Sequence, residues 1–320
     1  MERIIIDGLQ FALPLFIMAI GGIYSERSGI TNLCLEGLQG FGAFFGALAI
    51  ALIGINNPSL VQANGFYIAI IFAMIGGMLF SLLHAILSIK YRANQVVSGI
   101  VVNLLAVSLT EFLTRQINST VFGAPSNKFQ LGVLPRHNIP VLSEIPLIGA
   151  FFKEIYPFQI IILIVAVLAW ILFYKTRLGL RLRSLGDNPH AADSQGVNVE
   201  GIRYFAVMVS GALSGLAGIS FAYSISANFS PAIFMGFGYL SITALIFGNW
   251  EIGPTFFATL LFGFARSGGY ALAKALKMEA AFTDITMTLP YILTLLLLLF
   301  FSKNNRSPRA LGEPFDKGKR

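Results

Sequence analysis

The run TNLCLEGLQG sets one carboxylate, Glu36, between two carboxamides, Asn32 and Gln39, in an otherwise apolar stretch. At about 100° per residue these side chains and Ala43 fall within an arc of about 60°, one face of a helix. Such a set can hydrogen-bond a polar solute or a neighbouring helix, but it offers no activated nucleophile. An ionisable group among apolar residues is costly unless it is paired or wet, so Glu36 is a functional candidate. Two roles stay open: ordering an aqueous pathway, or tying two helices together near the cytoplasmic interface with help from the helix dipole. A second polar set lies in QVVSGIVVNLLAVSLTEFLT, where Gln95, Gly99, Asn103, Thr110 and Thr114 share an arc of about 100°. These side chains either line a path or bond across helices, at about 0.6–2 kcal/mol each.

Enzyme chemistry has little to stand on. The sequence contains no G-x-x-x-x-G-K-[ST] phosphate loop. His84, His137 and His190 fall in three unrelated places without metal-ligand spacing. Cys34, the one cysteine, sits in an apolar segment, which excludes a disulfide framework and a thiol metal site. Pumping a solute would have to draw on an ion gradient or on a partner protein.

The elements that must position these residues are membrane helices. The 320 residues are 56% hydrophobic and 12% charged, with 29 Phe, and mean hydropathy is +0.75. A soluble domain of this size could not hide so much apolar surface. Long apolar runs without period-two alternation select helices over a barrel. Membrane segments are predicted at 4–23, 30–53, 66–89, 95–114, 158–174, 204–226, 234–247, 253–270 and 285–301. The seventh is short and flanked by Gly236, Gly238 and Gly248, as a re-entrant or broken helix would be. The sixth contains SGALSGLAG, whose Gly211/Gly215 and Ser214/Gly218 pairs permit close helix contact. Arg266, within the eighth, can snorkel to the outer interface. The N-terminus has no basic n-region or cleavage signal and reads as a retained first span.

An excess of Lys and Arg marks the cytoplasmic side. It is densest at 175–203, which holds Lys175, Arg177, Arg181, Arg183 and Arg203. With that loop inside and every segment crossing, the inner connections carry about twice the Lys and Arg of the outer ones. The N-terminus then lies outside and the C-terminus inside. Topology thus accounts for the net charge of +7, which does not point to nucleic acid. The external connection 115–157, with Pro125, Pro135, Pro140 and Pro146, reads as a structured lid or a linker. Residues 303–320 read as a polar, disordered cytoplasmic tail. Residues 1–302 form one transmembrane domain of an all-α polytopic protein, with about nine transmembrane or re-entrant helices.

Within the central loop Asn188 is a good N-cap, Pro189 suits the first helical position, and Gly196 suits the residue after the last turn. The helix so bounded runs Pro189, His190, Ala191, Ala192, Asp193, Ser194, Gln195, about 10 Å at about 1.5 Å per residue. It is too short to cross a bilayer and too small to fold alone, so it needs a partner surface.

Three motifs resemble the permease subunits of bacterial ABC importers of the branched-chain amino acid, ribose and nucleoside group. They are SERSGITNLCLEGLQGFGAFFGALAI from Ser25, NQVVSGIVVNLLA from Asn94, and GLRLRSLGDNPHAADSQGVNVEGIRYFAVMVSGALSGLAG from Gly179; GYLSITALIFGNWEIGP from Gly238 is a weaker match. The resemblance implies the ABC importer permease architecture and a transport subunit rather than an enzyme. It places no cofactor in this chain, with ATP and Mg on a partner ATPase. It further implies that Asn188 to Gly196 is a coupling helix seated in the ATPase, which alternates the pathway between outside and inside. Asn32, Glu36, Gln39, Gln95, Asn103 and Thr110 are the pathway candidates.

NLCLEG is similar to the N-I-G-L-E-G pattern of nucleoside permeases that work with basic-membrane-lipoprotein-type receptors. Leu33 and Cys34 depart from the usual Ile-Gly, and Arg266 stands where a smaller or acidic residue is usual. The expected cargo is nucleosides, purine nucleosides foremost. Riboflavin, simple sugars and branched-chain amino acids are the alternatives within the class, and a gradient-driven transporter is the alternative outside it. Expected partners are a cytoplasmic ABC ATPase, a second and non-identical permease, an extracellular or periplasmic substrate-binding protein or lipoprotein, and membrane lipid, with no nucleic acid. The expected location is the bacterial plasma membrane, multi-pass.

Overall fold

The computed structural model describes residues 2–146, 149–278, 288–301 and 306–318. The start of the last membrane segment, 285–287, and the cations Lys303, Lys319 and Arg320 lie outside the described residues. Helix α1 (Glu2–Arg27) is apolar on every side, and its residues from Gln10 to Glu26 are all buried, which makes it the central post. Of the next four helices, α5 (Pro157–Lys175) packs against it, while α3 (Pro58–Ala85) and α4 (Gln95–Val121) pack on α2 (Leu35–Asn56). Two short helices, α6 (Arg177–Asp187) and α7 (Pro189–Ser194), lead into α8 (Val199–Phe221). The chain ends with α9 (Phe237–Phe247), α10 (Ile252–Ala275) and α11 (Leu289–Phe301). Among the described residues, 6 helical stretches are long and apolar enough to cross a membrane.

Close backbone contact holds the centre together. A Cβ on Gly211 would strike the Gly77 carbonyl, and one on Gly215 the Ala73 carbonyl. The small-residue spacing of α8 therefore lets α3 approach at backbone distance, where packing can drive helix association in lipid.

Two stretches depart from regular helix. Residues 30–34 are not helical, contrary to the predicted second segment, because Asn32 Oδ1 accepts the Cys34 N–H at 3.1 Å. That local bond competes with the helical pattern. Asn32 therefore shares no helix face with Glu36 and Gln39. Ser28, Ile30 and Asn32 are nonetheless fully buried. The second departure precedes α9. Strand β2 (Asn228–Phe229) pairs antiparallel with β1 (Phe129–Gln130) of the α4–α5 connection, and a 3-10 turn follows at Pro231–Ile233. The 11 residues of α9 extend about 16 Å, roughly half the hydrocarbon core.

The described residues of the connection between α4 and α5 are folded. Its 3-10 turns lie at Leu142–Glu144 and Gly149–Phe152. The Glu154 carboxylate receives Arg3 at 2.9 Å and Arg136 at 2.7 Å, which fastens the connection to the start of α1. The tail departs from the predicted disorder: residues 306–318 dock, with Ala310 and Phe315 only 4% and 6% exposed. Its apolar residues are few, but core positions receive them, and backbone bonds run from Ala310 N–H to Gly186 at 2.8 Å and from Gly312 N–H to Gly29 at 3.1 Å.

Candidate functional site

The broken ends of α2 and α9 meet at Glu36. Its Oε1 accepts the Gly236 N–H at 2.8 Å, and its Oε2 accepts the Gly238 N–H. A helix start leaves N–H groups without partners and carries the positive end of the dipole. Gly236, the residue at the N-cap position, has no side chain with which to satisfy them, and the carboxylate of another helix does so instead. Gly238 lies so close that a Cβ there would strike the Glu36 backbone. Gln39, one turn further along α2, donates to the Ile233 carbonyl at 3.3 Å. From α11, the Tyr291 hydroxyl donates to the Met235 carbonyl at 2.8 Å. The bend at 233–238 is thus gripped from α2 and α11.

The polar stripe of α4 faces the irregular 28–34 stretch and the start of α2. Asn103 donates to the Leu33 carbonyl at 2.8 Å and to the Tyr239 hydroxyl at 3.1 Å, and its Oδ1 accepts the Gly37 N–H at 2.7 Å. Gln95 Oε1 accepts the Thr31 N–H at 2.7 Å. Asn32 donates to Ser210, in the middle of α8, at 2.9 Å. Thr110 turns back to its own helix, donating to the Ala106 carbonyl at 2.8 Å. All six pathway candidates are buried. Five of them, Thr110 excepted, hold the two irregular stretches in place. A recess of about 890 Å³ opens along the C-terminal half of α4, lined by Ser108, Glu111, Phe112, Arg115 and Gln116 among others.

On the other side of the molecule, α7 is closed at both ends by its own residues. Asn188 Oδ1 accepts the Ala191 N–H at 3.0 Å. Gly196, at φ +78°, donates to the Asp193 carbonyl at 2.8 Å, and Val197 N–H reaches Ala192 at 3.1 Å. A left-handed residue here suits glycine and terminates the helix. Pro189 and Ala192 are buried against the body, Asp193 is half-buried, and His190, Ala191, Ser194, Gln195 and Gly196 are exposed. The helix is anchored by its apolar side and open on its polar one.

Several structural residues escaped the sequence reading. Arg203 is not a solvated loop cation: it is 2% exposed and donates to the carbonyls of Ser28 at 3.1 Å and Glu313 at 3.4 Å. Its place in the first turns of α8 turns it toward the α1–α2 connection instead of water. Glu26 accepts the Trp250 indole N–H, and Arg27 donates to the carbonyls of Trp250 and Asn249 at 3.1 and 3.3 Å. An adjacent acid and base at the end of an apolar span was the available signal, but it names no partner. The Arg266 guanidinium lies over the Phe11 ring at 4.2 Å and the Phe237 ring at 5.0 Å. The rings supply the partner that snorkelling would have sought in water.

These features define a polytopic all-α membrane protein with two interrupted helices meeting at a buried carboxylate. Residues 4–300 match the family described as branched-chain amino acid transport system / permease component, and the chain belongs to that family. It is similar to the guanosine ABC transporter permease protein NupQ of Bacillus subtilis (strain 168), with 38% identity over 98% of this chain and 96% of that protein. It is also similar to the nucleoside ABC transporter permease protein NupC of Lactococcus lactis subsp. cremoris (strain MG1363), with 36% identity over 100% of this chain and 98% of that one. The putative glucose ABC transporter permease protein TsgC13 of Haloferax volcanii is 30% identical over 80% of this chain and 73% of its own length.

Proposed function

We infer that this chain is the membrane-spanning permease subunit of an ABC importer that carries nucleosides, purine nucleosides foremost, into the cell. The observation that carries this reading is the likeness, over nearly the whole of both chains, to the guanosine permease. The NLCLEG run supports it, because its Glu36 organises the interrupted helices. Discontinuous helices whose irregular backbone is shielded by protein are a recurrent way to build a solute site within a membrane. The carboxylate fixes the start of α9, and the bend it holds exposes Tyr239 and Met235, which offer an aromatic face and a soft apolar one to a base.

The remaining parts follow from that role. ATP and Mg reside on a cytoplasmic ATPase that seats on Asn188 to Gly196. A second, non-identical permease faces the outer half of α4, whose Glu111–Arg115 pair at 2.7 Å would be a poor surface for lipid. A substrate-binding protein or lipoprotein delivers cargo over the lid at the outer face of a bacterial plasma membrane, and the C-terminus lies in the cytoplasm. A sugar cargo is the second reading, favoured by the glucose permease relative.

Uptake of labelled guanosine in cells with and without the gene tests the proposal, with adenosine, cytidine, riboflavin, ribose, glucose and leucine as unlabelled competitors. Gene-dependent guanosine uptake that adenosine suppresses and the sugars leave unchanged is expected. No gene-dependent guanosine entry, with labelled glucose or ribose entering in a gene-dependent way instead, would replace nucleoside by sugar.

A further inference from the structure

The docked tail gathers the inner side of the molecule. Ala310 bonds the end of α6, and Gly312 bonds Gly29 between α1 and α2. Arg306 N–H donates to Asn249 Oδ1 at 3.0 Å, in the turn between α9 and α10. Asp316 pairs with Arg92, between α3 and α4, at 3.1 Å. The buried Arg203 of α8 holds the Glu313 carbonyl from beneath.

The same strap runs along α7. The Phe315 and His190 rings lie 5.1 Å apart, and Lys317 Nζ stands 4.0 Å from Asp193 Oδ1. At about 100° per residue the helix therefore divides into three sectors. Pro189 and Ala192 face the body, His190 and Asp193 face the strap, and Ala191, Ser194 and Gln195 stay free. The free sector of a 6-residue helix offers on the order of 100 Å², whereas a stable protein interface needs about 800 Å² per partner. Whatever seats on this sector must gain area beside it. The strap is the adjoining surface, with Glu313, Pro314, Lys317 and Gly318 exposed along its outer edge.

We propose that residues 313–318 form, together with the free sector of α7, a composite docking surface for the partner ATPase. The proposal rests on the reading of α7 as a coupling helix. Because the strap is bonded to each of these inner connections, load applied to α7 is shared with the ends of α1, α3, α8 and α9.

The test uses the assembled transporter in membrane vesicles. Gln195→Cys and Lys317→Cys, made separately, carry a photoactivatable maleimide cross-linker, while the native Cys34 is fully buried. Both positions are expected to cross-link to the ATPase. Cross-linking from 195 without 317 would overturn the composite surface and leave the coupling helix standing; none from either would remove both. As a second measurement, Pro314→Trp puts bulk at an exposed position and is expected to weaken ATPase co-purification about tenfold, equivalent to about 1.4 kcal/mol, with the permease level in the membrane unchanged. Undiminished co-purification would overturn the proposal.

Discussion

Glu36 does at residue scale what a capping side chain ordinarily does within its own helix. Both of its oxygens are engaged by N–H groups 200 and 202 residues away. Hydrogen bonds to a charged group contribute about 1.5–3 kcal/mol each, and a buried N–H left alone carries a similar penalty. Glu36→Ala is expected to cut guanosine uptake at least tenfold with the protein still in the membrane, and Glu36→Gln, which keeps one acceptor, to fall between. Wild-type uptake by the alanine variant would show that α9 holds its position without the carboxylate. Sequence periodicity singled out Glu36 and Gln39 correctly as a polar pair on α2 but enrolled Asn32 in the same helix. A single side-chain bond to Cys34 N–H decides otherwise, and such a bond competes with helix over the space of two residues.

At the scale of elements, α7 and the α4–α5 connection make separate predictions. Gly196→Val forces a β-branched residue to φ +78°, at a cost of about 1–3 kcal/mol. It should fray the end of α7 and lower ATP hydrolysis stimulated by receptor and substrate, while the isolated ATPase keeps its basal rate; unchanged stimulation would mean that α7 need not end there.

In the α4–α5 connection, the Arg136 hydrogen bond holds Glu154 below the usual carboxylate range. A carboxylate lowered in the folded state contributes its stability above the ordinary value and loses it as pH falls through the folded one. Hydrogen exchange at the His137 and Ile155 amides, corrected for intrinsic rate, should therefore accelerate as pH falls below the ordinary carboxylate value of 4.5. Glu154→Gln should flatten that dependence, and a slope that survives the substitution would place the titrating group elsewhere. The caps of α7 were legible because Asn188, Pro189 and Gly196 act within a few residues of themselves. The clamp of Arg3 and Arg136 on Glu154 was not, since its members come from α1 and from the middle and the end of the α4–α5 connection.

For the whole molecule, the face that carries the α4–α5 connection and the face that carries α7 are built differently. On the first, the α4–α5 connection is joined by β1–β2 pairing to the stretch that leads into α9, so a load on that connection reaches the bend held by Glu36. On the second, the tail strap ties α7 to the helix ends around it. Arg203→Met is expected to release the strap by removing the donor to the Ser28 and Glu313 carbonyls. Limited proteolysis after residue 302 should then outpace the wild type, and equal rates would show that the backbone bonds of Ala310 and Gly312 suffice.

Membrane class, the positions of the apolar segments and the small capped helix were determined by the sequence alone, because hydropathy and capping act over one helix or one turn. Small-residue spacing likewise announced that α8 would pack closely, though not that α3 would be its neighbour. Only the tertiary structure decided which orphaned N–H groups Glu36 satisfies, that Arg203 is a buried anchor, and that a polar tail folds back. The physical reason is common to all three. A buried polar group is governed by the backbone groups that broken helices and loops leave without partners, and these arrive from distant parts of the chain.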